Sequence, residues 1–240
     1  MKYINKFELN KLPLLYGKNN GFYGTCYKYS DDLVLKIFNT NLYFKRKDEI
    51  KSNVGKLFGI EIDNVSFSYQ ITKTSGIDFS YLMPYIKGNI WQDILYMIKD
   101  DEMYDVSFED ISKCYHDGVS KVNKIGKNNI KIFDLNPSNC KIDSKNNFGI
   151  FDVDLYKRES YFTKKEIEYH NIREFNNVFN FLFQSIYYIY LKNEEIILLN
   201  EFFDILNISN INSVNYVDHI IYELNKKMNV NSIRELTLYK

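Results

Sequence analysis

The sequence predicts an α+β protein: a small antiparallel β lobe with one helix over residues 1–85, then a larger helical lobe over residues 86–240. Three observations carry this expectation. Short apolar runs of strand type, broken by Gly, Asn and Asp turns, fill the first lobe. At Pro84-Tyr85-Ile86-Lys87-Gly88 the pattern changes to helical spacing and keeps it for most of the remainder. No unit of about 20–50 residues repeats, and no low-complexity linker separates independent domains.

Pro13–Gly17, Phe22–Tyr29 and Leu33–Phe38 read as short strands, parted by turn residues at Gly17-Lys18-Asn19-Asn20-Gly21 and Ser30-Asp31-Asp32. Over Asn41–Leu57 the period lengthens, with Ile50, Val54 and Leu57 on one helical face. Val65–Thr72 and Phe79–Tyr85 read as two further strands turned at Gly76, which makes a five-stranded antiparallel sheet with one inserted helix. Ile90–Ile98 and Val106–Ile125 are expected helices, and an irregular passage with Pro137 runs over Lys131–Tyr156. Lys164–Leu191, Glu194–Leu206 and Val214–Met228 read as helices again, while Ser232–Tyr239 has no decisive pattern. The aromatic residues Phe179, Phe181, Phe183 and Tyr187–Tyr190 are expected to pack the helical core, with some of them left exposed by their odd spacing.

Composition narrows the function classes. With 45% hydrophobic and 26% charged residues, disorder and collagen-like structure are excluded. The 31 Lys+Arg balance 31 Asp+Glu, which argues against nucleic acid or a membrane surface as partner, since both need a surplus of cations. Cys26, Cys114 and Cys140 are odd in number and lack metal-ligand spacing. Residues 1–6 lead into no apolar signal region, and the richest apolar stretch, Val178–Leu191, is interrupted by Asn180 and Gln184. The expectation is a soluble, reduced, cytoplasmic chain. Alanine is absent and arginine occurs four times, the bias of an AT-rich bacterial genome, so lysine and asparagine are discounted as functional signals.

Four short segments carry chemistry. In Asn19-Asn20-Gly21-Phe22-Tyr23-Gly24-Thr25-Cys26 the glycines let a strand-turn-strand ribbon bring backbone N–H groups close to phosphates, although most such turns are simple hairpins. Lys36 sits inside the apolar run Leu33-Val34-Leu35-Lys36-Ile37-Phe38; it must either snorkel from an edge strand or find an anion, with Glu49 as the natural partner and Asp48 as the fallback. In Asp134-Leu135-Asn136-Pro137-Ser138-Asn139, Asp134 can orient or deprotonate a hydroxyl while the Asn139 amide oxygen ligates a hard cation. Asp152 ends the apolar run Gly149-Ile150-Phe151 and is placed to hold Mg²⁺. The three histidines, His116, His170 and His219, are scattered and read as packing or surface residues.

Together these segments resemble the protein-kinase-like superfamily, over about Leu14 to Leu191 and in the family's order. Gly21-Phe22-Tyr23-Gly24 looks like the second half of a Gly-rich loop, with Asn19 in place of the first glycine. Lys36 and Glu49 are similar to the third-strand lysine and its helix glutamate, and Tyr81–Gly88 to the entry into the hinge. Asp134-Leu135-Asn136-Pro137-Ser138-Asn139 resembles the catalytic loop, and Asp152-Val153-Asp154 stands where Asp-Phe-Gly is usual. The resemblance implies a bilobal kinase-like fold with Mg·ATP held between the lobes. It implies nucleotide contacts at Gly21, Gly24, Cys26, Lys36, Glu49, Met83 and Tyr85, with Cys26 as a small apolar wall. It further implies metal ligation by Asn139 and Asp152, and catalysis by Asp134 with Lys36 and Asn139.

The match departs from the family in three places. Ile132-Phe133 replaces the His-Arg before the catalytic aspartate, Val153-Asp154 replaces Phe-Gly, and only twenty-four positions separate Asp152 from Asn176, near which the family's helix F would start, with no recognisable Ala-Pro-Glu between them. Chemistry residues are kept, while those for regulation and peptide docking are lost. The implied activity is transfer of the γ-phosphate of Mg·ATP to a hydroxyl acceptor, with protein Ser/Thr favoured. The alternatives are a small-molecule kinase of the aminoglycoside or choline type and a pseudokinase that binds nucleotide as an interaction module.

Overall fold

The computed structural model describes residues 2–16, 24–38, 41–99, 106–192 and 196–238. The chain forms two compact units, Met1–Ile86 with Ile150–Glu159, and Lys87–Gly149 with Ser160–Lys240.

The first unit contains β1 (Lys2–Ile4), α1 (Lys6–Leu9), β2 (Leu14–Tyr16), β3 (Thr25–Lys28), β4 (Leu33–Phe38), α2 (Asn41–Lys56), β5 (Gln70–Thr74) and β6 (Phe79–Pro84). Its six-stranded sheet has the order β1-β5-β6-β4-β3-β2 and is mixed, because β1 runs parallel to β5 while the other pairs are antiparallel. This corrects the expected five antiparallel strands and single helix. β1 is three residues long with Ile4 alone buried, too short for alternation to register. The one-turn α1 is set by a capping box between Asn5 and Glu8. The expected strand at Val65–Thr72 begins later, at Gln70; Val65 instead forms an isolated parallel bridge to Ile150.

Lys36 lies on a central strand, flanked by β3 and β6, and not on an edge. Both faces of β4 are covered. Val34 and Phe38 share a cluster with Tyr43, Ile50, Val54, Tyr81 and Met83, while Leu35 and Ile37 pack on the opposite face with Ile4 and Leu82. Lys36 therefore points to the face that α2 covers, and it is buried. Ile50, Val54 and Leu57 are buried as their spacing predicts. Asp78 anchors the helix to the sheet by accepting from the Tyr43 hydroxyl at 2.7 Å and pairing with Lys47 and Lys51 at 3.1 Å each.

The second unit comprises β7 (Asn89–Ile90), α3 (Trp91–Lys99), α4 (Phe108–Lys127), a 3₁₀ turn (Pro137–Asn139), β8 (Cys140–Ile142), β9 (Phe148–Ile150), α5 (Lys164–Lys192), α6 (Ile196–Ile208), α7 (Tyr216–Met228) and α8 (Ile233–Leu238). A small sheet β7-β8-β9 organises part of the passage that reads as irregular in the sequence. Its hairpin turns where the Asp143 carboxylate accepts from the Asn147 backbone at 2.9 Å. The core is aromatic: Tyr115, Phe148, Phe175 and Phe179 form edge-on, stacked and tilted ring pairs at 5.2–5.8 Å. Phe183 is buried with them, while Phe181, 45% exposed, is one of those the odd spacing leaves outside the core.

Two helical glycines give opposite expectations. Alanine gains up to about 1 kcal/mol over glycine by helix propensity. At Gly55, on the exposed side of α2, nothing stands within 4 Å of an added Cβ, so Gly55→Ala should stabilise by nearly that amount. At Gly118 the Cβ would meet Phe175 Cζ at 2.3 Å, in a ring fixed by three aromatic neighbours. Overpacking costs about 1–3 kcal/mol, so Gly118→Ala should lower stability despite its propensity. Denaturant unfolding of the two variants measures both signs.

Candidate functional site

The first unit buries one cation among carboxylates. β4 places Lys36 opposite Cys26 on β3 and Tyr81 on β6. The segment after β9 returns to the same face and brings Asp152 and Asp154 to the ammonium: Lys36 Nζ donates to Asp152 Oδ1 and, at 2.5 Å, to Asp154 Oδ2. The Tyr81 hydroxyl donates to Asp154 Oδ1, and Asn53 Nδ2 on α2 donates to the Asp154 carbonyl at 3.2 Å.

The electrostatics separate the two acids. Burial lowers the affinity of Lys36 for its proton, but Asp152 and Asp154 outweigh it and hold the ammonium well above the usual lysine range. Burial pushes the Asp154 carboxyl up to about 6, against the pull of Lys36 and with help from the charge of Asp152. For Asp152 burial acts the same way but Lys36 wins, and its carboxyl is lowered. Asp152 is 40% exposed at its side chain and Asp154 1%. Cys26 beside them is pushed up to about 11, chiefly by burial, and is a poor nucleophile there.

Glu49 does not pair with Lys36, which corrects the expectation. It binds Arg46 at 2.8 Å and Lys157 at 3.1 Å; burial raises its carboxyl, but these two cations outweigh that and lower it. The physical reason is the return segment, which supplies two closer acids to Lys36 and a lysine to Glu49.

The second unit holds the Asp134 loop. Its backbone is fastened to α5: Asn171 accepts from the Ile132 N–H at 2.8 Å and donates to the Ile130 carbonyl at 2.9 Å, while His170 Nε2 lies 2.7 Å from the Ile132 carbonyl oxygen. Asn139 Nδ2 donates to the Asp134 carbonyl at 2.8 Å, and Asn136 Nδ2 to the Asp134 carboxylate at 3.1 Å. Asp134 and Asp152 both have φ of 59°, in the left-handed region. Such backbones cost about 1–3 kcal/mol and persist where the surroundings fix them, often at functional sites. A cavity of about 440 Å³ adjoins the loop, lined by Tyr96, Asn136, Pro137, Ser138, Gln184 and Tyr188 among others.

The remaining expected residues are placed as follows. Gly21 lies outside the described residues. Gly24 is needed for a local reason, since an added Cβ would stand 2.4 Å from the Ile37 carbonyl oxygen. The Met83 side chain is spent in the core against α2, and Tyr85 packs at the edge of that cluster. Asp134 and Asn139 are brought together in the second unit, and Lys36 and Asp152 in the first. Sequence reasoning missed Tyr81, Asn53, His170 and Asn171 as supporting groups. It named Asp154 only as a departure, although a second acid two positions after Asp152 was a visible signal.

In the first unit Asp152 offers a partly exposed carboxylate, the donor type a hard divalent cation takes; in the second unit Asn139 is buried and its amide nitrogen donates to the Asp134 carbonyl. No group of three His, Cys, Asp or Glu side chains that could hold a metal ion stands together among the described residues. No helix among the described residues is long and apolar enough to cross a membrane. No protein-family model matches the chain, and no curated protein matches it.

Removing one member of a buried ion pair costs about 3–5 kcal/mol, because the partner charge stays desolvated. Lys36→Met should therefore lower unfolding free energy by that order in urea melts. Glu49→Gln, which disturbs partly exposed pairs, should stay within about 1 kcal/mol.

Proposed function

We propose that the chain is an ATP-dependent phosphotransferase of the protein-kinase-like type, which moves the γ-phosphate of Mg·ATP to a hydroxyl acceptor, with protein Ser/Thr favoured. The observation that carries this reading is the pair between the buried Lys36 and the partly exposed Asp152, formed by residues 116 positions apart. Hydrophobic side chains of similar volume would stabilise a sheet at least as well as a buried lysine and its acids, so stability alone gives no reason for the pair. A fixed cation beside a partly exposed carboxylate suits a polyphosphate and its metal.

In this reading Lys36 would bind the α- and β-phosphate oxygens and Asp152 would take Mg²⁺, which would supply charge neutralisation on the phosphates; the family resemblance implies Asn139 as a further ligand. Asp134 receives the acceptor's proton as the hydroxyl oxygen bonds to the γ-phosphorus and the bond to the bridging oxygen of ADP breaks. The pinned Asn136, Asn139 and α5 contacts keep the Asp134 backbone in place during the transfer. The cavity beside the loop has the size of an acceptor site.

A second reading, a nucleotide-binding module without turnover, is favoured by one feature. Lys36 is engaged by two acids of its own chain and Glu49 by Arg46 and Lys157. Labelled ATP with Mg²⁺, offered to mixed acceptors that include the protein itself, a generic Ser/Thr substrate, an aminoglycoside and choline, separates the readings. Transfer that falls about 10²-fold or more in Asp134→Asn, with ATP binding retained, is the expected result. Binding without transfer to any acceptor, and no effect of Asp134→Asn, leaves the module reading.

A further inference from the structure

The two acids beside Lys36 are held very differently. Asp154 is enclosed by donors from three elements: Lys36 on β4, the Tyr81 hydroxyl on β6, and Asn53 on α2 through the Asp154 carbonyl. Its side chain is 1% exposed, whereas that of Asp152 is 40% exposed. Asp154 cannot turn toward a cation arriving from solvent without stranding a buried phenol, which costs about as much as an ordinary hydrogen bond contributes or more. Asp152 can turn.

We propose that Asp154, and not Glu49, is the positioning residue that seats Lys36 for the phosphates of a nucleotide, and that α2 reaches the site through Asn53. The inference rests on the nucleotide-binding part of the reading above. It assigns the acids separate tasks. When Asp152 engages a cation, Asp154 still compensates the Lys36 ammonium, so the buried lysine is never left without an anion. Glu49 lies one helical turn before Asn53, 33% exposed, with its charge answered by Arg46 and Lys157. Asn53, by contrast, is buried and spends its amide on the Asp154 backbone. The helix thus supports the lysine at second hand, by fixing the segment that carries its counter-charge.

Two readouts distinguish this role from mere packing. The first is calorimetric titration of Mg·ATP into wild type, Asp154→Asn, Tyr81→Phe and Glu49→Gln, each checked for a cooperative melt. A lost hydrogen bond to a charged group corresponds to roughly tenfold in affinity. Asp154→Asn should weaken binding by about that factor, Tyr81→Phe by a smaller one, and Glu49→Gln by less than about twofold. The second needs no nucleotide. Acylation of Lys36 by a small N-hydroxysuccinimide ester at fixed pH, read by peptide mass spectrometry, should rise several-fold in Asp154→Asn and stay at the wild-type level in Glu49→Gln. If Asp154→Asn does not fold, Tyr81→Phe carries both arms in the same direction. Equal weakening by Glu49→Gln and Asp154→Asn, or no change in binding and labelling for Asp154→Asn, overturns the proposal. If wild type binds no Mg·ATP, the phosphotransferase reading fails by itself, and labelling alone decides whether Asp154 holds Lys36.

Discussion

The ion pairs of Lys36 with Asp152 and Asp154 join parts of the first unit that lie 116 and 118 positions apart in the sequence. An ammonium on a central strand, covered on both faces, is almost wholly withdrawn from water. Its desolvation costs several kcal/mol and must be met by anions that arrive from elsewhere in the chain. The return of residues 150–159 to the first unit answers that demand. Once Asp154 is in place, Tyr81 and Asn53 have partners for their own buried polar groups. The more exposed pairs of the same segment, Lys157–Glu49 and Lys56–Glu159, follow from this docking and do not cause it, since such pairs are worth at most about 1 kcal/mol.

The second unit solves a different problem, which is to hold a short loop in an unfavourable backbone. Asn171 imitates a strand neighbour: its amide accepts from one backbone N–H and donates to a carbonyl two residues earlier. Asn136 and Asn139 then close the loop on itself around Asp134. The left-handed φ at Asp134 is sustained by this network, just as that at Asp152 is sustained by the lysine. In both places an acid is oriented by a hydrogen bond to one of its carboxylate oxygens.

Much of the architecture is legible in the sequence. The longer helices follow their apolar periods, with α5 spanning Lys164–Lys192 where Lys164–Leu191 is expected. Ile50, Val54 and Leu57 mark the buried face of α2. What escapes is short or nonlocal. β1 has too few residues to show alternation, although the Asn5–Glu8 capping box that follows it was readable. Pairing of Lys36 cannot be deduced from neighbours along the chain: Glu49 is near in sequence, but Asp152 and Asp154 are near in space. Asn171 gives no signal in a chain so rich in asparagine, where composition masks the few amides that matter. Of the aromatics expected to pack the helical core, Phe179 and Phe183 do so, while Phe181 and Tyr188 are among those that the odd spacing leaves exposed.

The central claim is that the Lys36 cluster is a polyphosphate site with a place for a divalent cation. Calorimetric titration of ATP into the wild-type chain, with and without Mg²⁺, tests it most directly. The account predicts saturable one-to-one binding that strengthens with Mg²⁺, because Asp152 then contributes a ligand to the cation instead of a charge that repels the phosphates. A protein that melts cooperatively yet gives no saturable heat with ATP, in the presence or absence of Mg²⁺, would contradict it.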